Sequence, residues 1–154
     1  MFKTIMWATD GSDAADRALP FAKALADEEG GRLAVVHSKE MLVGRAGGYP
    51  VLADEDELEA KIREQVEGMC EEGLNADLTV ISGSTNAAHM LADTARQLGV
   101  DVIVVGTRGH APIAGLFVGG VTQRLLHIAP CPVLAVPAKE RVETREALSV
   151  HATA

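Results

Sequence analysis

The chain is expected to fold as an α/β three-layer sandwich, a mostly parallel five-stranded sheet with four helices covering its two faces. Three observations predict this. Five short runs rich in Val, Ile and Leu recur along the 154 residues, and segments with helical spacing of apolar residues separate them. Most of the runs are continuously apolar rather than alternating, the habit of strands covered on both faces. The order β-α-β-α-β-α-β-α-β then implies crossover connections and a parallel sheet.

The first strand is Thr4–Ala8, in KTIMWA. Ala15, Ala18, Leu19, Ala22, Leu25 and Ala26 follow at i, i+3, i+4 spacing, with Ser12 or Asp13 to cap the helix and Gly30–Gly31 to stop it. Pro20 lies inside this helix and is expected to bend it. The second strand, Leu33–His37, leads into residues 39–53, KEMLVGRAGGYPVLA, a long loop of the sort that is often functional. Leu58, Ile62, Val66, Met69 and Cys70 mark a second amphipathic helix ended by Gly73, and Leu78–Ile81 a third strand. Ala87, Leu91, Thr94, Ala95 and Leu98 make a third helix ended by Gly99. The fourth strand, Val102–Val105, precedes a short helix after Gly119 that carries Val121, Leu125 and Leu126, and the last strand is Val133–Val136. One domain, residues 1–137, accounts for all of this. The remaining tail, 138–154, is charged and then small and polar, without strand or core pattern, and is expected to fray.

Composition narrows the function. Aromatic residues make up only 3%, so the interior must be aliphatic and a ring-lined ligand cage is disfavoured. The net charge of −8 repels nucleic-acid backbones and anionic membrane surfaces, so neither is expected as a partner. Cys70 and Cys131 form no CxxC pair, and nothing at the N-terminus resembles a charged-then-apolar signal segment, which together suggest a reduced, cytoplasmic protein. The apolar stretches fall far short of the ~20 residues that a spanning helix needs.

In open parallel sheets ligands sit beyond the carboxyl ends of the strands, where strand order reverses. If the first and fourth strands are neighbours, Ala8-Thr9-Asp10-Gly11-Ser12 faces Gly106-Thr107-Arg108-Gly109 across one crevice. A glycine-rich turn that feeds a helix N-terminus presents free amides, and the helix dipole adds roughly half a positive charge. Gly106 and Gly109 would then let the backbone approach an anion, Gly119, Gly120 and Val121 would offer amides, and Asp10 could accept from a ribose hydroxyl. Tight strand–helix junctions also produce such glycines without any ligand, so spacing alone leaves both readings open.

The stretch Gly106-x2-Gly109-x9-Gly119, followed by Gly120-Val121-Thr122 and by Ala129-Pro130-Cys131-Pro132-Val133, resembles the nucleotide-binding signature G-x2-G-x9-G-[ST] of the universal stress protein family. The opening Ala8-Thr9-Asp10-Gly11-Ser12 is similar to that family's first loop, and the likeness covers about residues 1–137. It implies an adenine nucleotide alpha hydrolase-like fold with strand order 3-2-1-4-5, and a cofactor that is ATP, or AMP or ADP, with or without Mg. It further implies that Asp10 contacts the ribose or adenine side, that the backbone around Ser38 borders adenine, and that Val105, Gly106, Gly109, Gly119, Gly120 and Val121 line the phosphates; Ala8, Thr9, Arg108 and Thr122, beside them in sequence, complete the candidate binding residues. The role implied is a stress-response sensor or signalling module, paired as a homodimer through the edge strand 133–136.

One position departs from the signature. Gly120 stands where the motif asks for Ser or Thr, so the amide survives and the hydroxyl is lost. A hydrogen bond to a charged group contributes about 1.5–3 kcal/mol, roughly ten- to a hundredfold in affinity. Thr122, two residues along, is the candidate to substitute in part.

Other chemistry is weaker. The five histidines lack metal-ligand spacing, and His110 beside Gly109 is better read as exposed loop than as a phosphate contact. Ser12, His37 and Asp10 have no GxSxG elbow, so a hydrolytic triad is rejected. Arg108 and Arg124 could pair with phosphate or simply sit at the surface. Cys131 reads as a small buried hydrophobe. No GxxxxGK[ST] lysine is present to stabilise phosphoryl transfer, so no catalytic residue is assigned and hydrolysis, if any, should be very slow. A dimeric scaffold of the same fold with a decayed nucleotide site is the alternative.

Overall fold

The computed structural model describes residues 2–28, 30–40, 55–83, 85–108 and 118–138. Nine elements alternate: β1 (Thr4–Thr9), α1 (Asp13–Glu28), β2 (Arg32–Glu40), α2 (Glu55–Glu71), β3 (Asn75–Gly83), α3 (Ala87–Leu98), β4 (Val102–Gly106), α4 (Gly120–Ile128) and β5 (Val133–Val136). The sheet has the order β3-β2-β1-β4-β5 and every pair is parallel. This is the predicted topology. Ile5 stands opposite Leu33 and Val102, and Ile103 opposite Val133.

The continuous apolar runs are explained by two separate cores. Ile5, Trp7, Leu33, Val35, Val102 and Val104 face one way and pack on Ala18, Ala22 and Ala26 of α1 and Ile62, Val66 and Met69 of α2. Met6, Ala8, Val36, Ile103 and Val105 face the other way, onto Ala88, Leu91, Ala92 and Ala95 of α3 and Leu125 of α4. Successive strand side chains point to opposite faces, so a strand between two helical layers must be apolar at both parities. Alanines on the buried face of α1 let that helix lie close to the sheet. The close approach brings the Ala15 carbonyl within 3.0 Å of the Nε1–H of the fully buried Trp7, which gives the indole its one donor partner.

Element boundaries differ in an informative way. β2 and β3 both run longer than their apolar segments, because polar residues continue the ladder as far as Glu40 opposite Gly83. β3 is the sheet edge, and its polar Asp77 accepts two hydrogen bonds from the Arg32 guanidinium at 2.6 and 2.8 Å, which raises the Arg32 pKa. α1 continues through Pro20 as one helix of 16 residues. Beyond Glu40 the expected loop 39–53 lies outside the described residues, as do Gly109, His110 and the tail after Ala138.

Candidate functional site

β1 and β4 are hydrogen-bonded neighbours, with Ala8 opposite Val105, and the chain order reverses between them. The crevice expected from the sequence would therefore lie between the loop after β1 and the segment after β4.

The loop after β1 is held by its own short polar side chains. Thr9 Oγ1 accepts from the Gly11 amide at 3.1 Å, Asp10 Oδ1 accepts from Ser12 N at 3.0 Å, and Ser12 Oγ caps α1 by accepting from Ala15 N at 3.3 Å. Gly11 has φ +75°, so the turn asks for glycine, while a Cβ there would lie 2.7 Å from Leu58 Cδ2, the movable end of a side chain. The loop's carbonyls are bound by other elements. His37 Nδ1 donates to Thr9 O at 3.0 Å, and Lys61 Nζ donates to Gly11 O at 2.9 Å and to Asp16 at 2.6 Å. Three residues of α2 thus secure this loop: Leu58 and Lys61 directly, and Glu55 through His37, whose Nε2 lies 2.6 Å from Glu55 Oε1.

On the other wall, Thr107 joins the ends of three elements. Its amide donates to Val136 O at 2.8 Å, its carbonyl accepts from Gly119 N at 2.6 Å, and its hydroxyl accepts from Ala138 N at 3.2 Å. Arg108 follows it, half-buried. Gly119 is the N-cap of α4, with no side-chain cap, and its carbonyl accepts the helix's first bond, from Gln123 N at 2.9 Å. The amides of Gly120, Val121 and Thr122 belong to the first turn and have no partner within the helix. Gly120 is exposed, and a Cβ there would meet nothing within 4 Å.

Three sequence-based assignments acquire a different physical meaning. Gly106 was expected to admit an anion. Instead a Cβ at Gly106 would lie 2.4 Å from Ala14 O and 2.7 Å from Ala14 C, so the close neighbour is the start of α1. Thr122 cannot replace the missing hydroxyl at position 120: it is buried, and its Oγ1 donates to Gly106 O at 2.8 Å, fastening α4 to β4. Gly119's amide is committed to Thr107, so the first-turn amides without a partner inside the helix are those of Gly120, Val121 and Thr122. Ala8 and Val105 are buried in the core beneath the crevice, so only their backbones border it. Ser38 lies at the end of β2 with its hydroxyl buried and without a hydrogen-bond partner.

The sequence reading missed Thr107 and the His37–Glu55 contact. A histidine closing an apolar strand at the sheet's carboxyl edge was the available signal, but its partner lies 18 residues on, across a long loop. Among the described residues no group of His, Cys, Asp and Glu could hold a metal ion, and no helix is long and apolar enough to cross a membrane. A surface hollow of about 310 Å³ runs along α2, lined by Asp56, Glu59, Ala60, Arg63, Glu64 and Glu67. Its acids disfavour phosphate, and it is not on the crevice.

A family model described as the universal stress protein family matches residues 1–137. The chain is 38% identical over 139 residues to the "Universal stress protein in QAH/OAS sulfhydrylase 3'region" of Thermus aquaticus, which covers 88% of this chain and 99% of the relative. Among solved structures, a universal stress protein from Archaeoglobus fulgidus in complex with dAMP is 27% identical, with TM-score 0.63 over 88% of this chain and 98% of that one. A universal stress protein in complex with cAMP superposes with TM-score 0.68 over 90% and 99% at 24% identity, a likeness of fold.

Proposed function

The chain belongs to the universal stress protein family, and from that premise we propose that it binds an adenine nucleotide, ATP or the related ADP or AMP, at the β1–β4 crevice and serves as a stress-response sensor or signalling module. The observation that carries the reading is the start of α4: two first-turn amides, Gly120 and Val121, follow an N-cap that supplies no side-chain oxygen to occupy them. An anion there would meet N–H groups and the positive helix end, with no lysine required. The dAMP bound to the Archaeoglobus relative supports an adenine ligand. The buried, unpartnered Ser38 hydroxyl at the end of β2 gives a base or ribose a polar group to satisfy.

In this reading Asp10 orients the ribose, Ser38 borders the base, and Gly109 and Arg108 complete the phosphate side, with Mg optional on the phosphates. The protein works as a homodimer through β5, which among the described residues is an edge strand paired with β4 alone and whose Leu134 is 38% exposed. The two free cysteines, Cys70 and Cys131, suit a reducing cytoplasm. The test is direct. Freshly purified protein is denatured and the supernatant examined by mass spectrometry for released adenine nucleotide, with ATP titration calorimetry on the emptied protein. Neither release nor binding would leave the dimeric scaffold as the function.

A further inference from the structure

His37 is 3% exposed and bonded at both ring nitrogens, to the Thr9 carbonyl and to Glu55, itself only 17% exposed. A carbonyl oxygen only accepts, so Nδ1 must carry a proton at all times. The Nε2···Oε1 distance of 2.6 Å is a hydrogen bond, and it too requires a proton, held either by the ring facing a carboxylate or by a carboxylic acid facing a bare nitrogen. Whichever atom holds it, the contact contains one proton beyond neutral imidazole plus carboxylate. Removing it sets a nitrogen lone pair against a carboxylate, with little water at hand, and the contact opens.

We propose that this contact is a one-proton latch on the nucleotide site. While the proton is held, α2 is fixed through Glu55 and His37 to the Thr9 carbonyl, and Asp10, the next residue, keeps its place in the crevice. Loss of the proton frees Glu55 to turn toward solvent and removes one of the three holds of α2 on the loop that carries Asp10, those of Leu58 and Lys61 remaining. Nucleotide affinity is therefore present where the latch is protonated and falls as pH rises. His37 and Glu55 are positioning residues that act through Thr9 and Asp10. The ionisable groups of the surrounding elements are Glu55, Asp56, Glu59 and Lys61 on α2, Lys39 on β2, Asp10 on the loop and Asp16 on α1, while β3 places Val80 opposite His37. Two of the cations are already engaged, Lys39 by Glu59 and Lys61 by Asp16.

This inference rests on the adenine-nucleotide reading, and the test separates the two. ATP affinity is measured calorimetrically from pH ~6 to ~8.5 for the wild type and Glu55→Gln, the range in which histidine chemistry ordinarily changes. A glutamine amide can donate to a neutral ring or accept from a charged one, so the variant keeps the contact at every pH. The ligand's own titration is common to both and cancels in the ratio. The expected result is a wild-type Kd that rises about tenfold relative to the variant, with a slope of at most about one decade per pH unit because one proton is involved. Nitrogen NMR of the wild-type imidazole follows the proton without any ligand. A constant ratio with both proteins binding, or a His37 ring that does not titrate across the range, overturns the latch and leaves nucleotide binding standing. No ATP binding by either protein at any pH overturns the nucleotide reading, and the latch with it.

Discussion

Replacing Gly106 with alanine would place a Cβ 2.4 Å from Ala14 O, 2.7 Å from Ala14 C and 3.1 Å from Ala15 N. The first of these is about 1 Å short of ordinary van der Waals contact, and all three atoms are backbone, so no side chain can rotate away. Either β4 or the first turn of α1 must move. Both are tied nearby: the Gly106 carbonyl accepts from Thr122, and the Ala15 carbonyl accepts from Trp7. Overpacking of this sort costs about 1–3 kcal/mol, and rigid backbone on both sides favours the upper end. The alanine recovers ~0.5 kcal/mol by restricting the unfolded chain. The net expectation is a loss of about 2.5 kcal/mol, and for a domain of this size that lowers Tm by roughly 5–10 °C. Differential scanning calorimetry on nucleotide-free protein checks it. A glycine kept only to admit a ligand predicts the opposite pattern, an unchanged Tm in the empty protein with weakened ATP binding, and that result would refute the packing argument.

Gly120→Ser adds a side chain into open space and restores a hydroxyl beside the first-turn amides, so ATP affinity should rise about tenfold or more in calorimetry with Tm unchanged or slightly higher. Thr122→Val keeps the shape and removes the donor to the buried Gly106 carbonyl; chemical denaturation should show a loss of about 1–2 kcal/mol, whereas a phosphate role for this hydroxyl would appear in Kd instead. Asp101 accepts from the Thr4 and Lys3 amides at 2.9 and 2.8 Å, and these hydrogen bonds hold its pKa below the usual aspartate value. A depressed folded-state value stabilises the fold above the unfolded-state value, about 3.9, and that benefit is lost as pH falls through the folded-state one. The Tm advantage of the wild type over Asp101→Asn should accordingly shrink on acidification below pH ~4; a constant difference down to pH ~2 would count against it.

The strands and helices were legible because both leave periodic apolar signals, the strand order followed from the family resemblance, and the two-sided burial of β1, β2 and β4 is written in their unbroken runs. The site was legible only as a place. Strand ends and glycines pointed to the β1–β4 switch point, but nothing local told a glycine that admits a ligand from one that admits Ala14, since the obstructing carbonyl comes from an element some ninety residues earlier. The same holds for polar side chains. Thr107, Thr122 and His37 act through hydrogen bonds to distant backbone or to a residue across a loop, and such pairings impose no period on the sequence. β3 was underestimated for the same reason: Asp77 is held by Arg32, not by burial of an apolar surface.

Electrostatics gives the proposed nucleotide an orientation independent of any motif. α2, rich in glutamate, packs on the α1 side of the sheet and sends Glu55 to the strand ends at β2, whereas α4 lies on the opposite face and begins just beyond β4 with first-turn amides that have no partner inside the helix. A protein of net charge −8 has little general attraction for a polyphosphate, so the proposed phosphate position is one where local N–H dipoles oppose the surrounding field, at Gly120 and Val121. The uncharged base can lie beside the acids at β2, where Ser38 has a hydroxyl to spare. Reversing the ligand would set its phosphates against Glu55 and Asp10 and leave the α4 amides facing an uncharged ring, which loses the favourable contact and adds repulsion. On the proposed reading, the charge distribution favours the arrangement in which base meets β2 and phosphate meets α4.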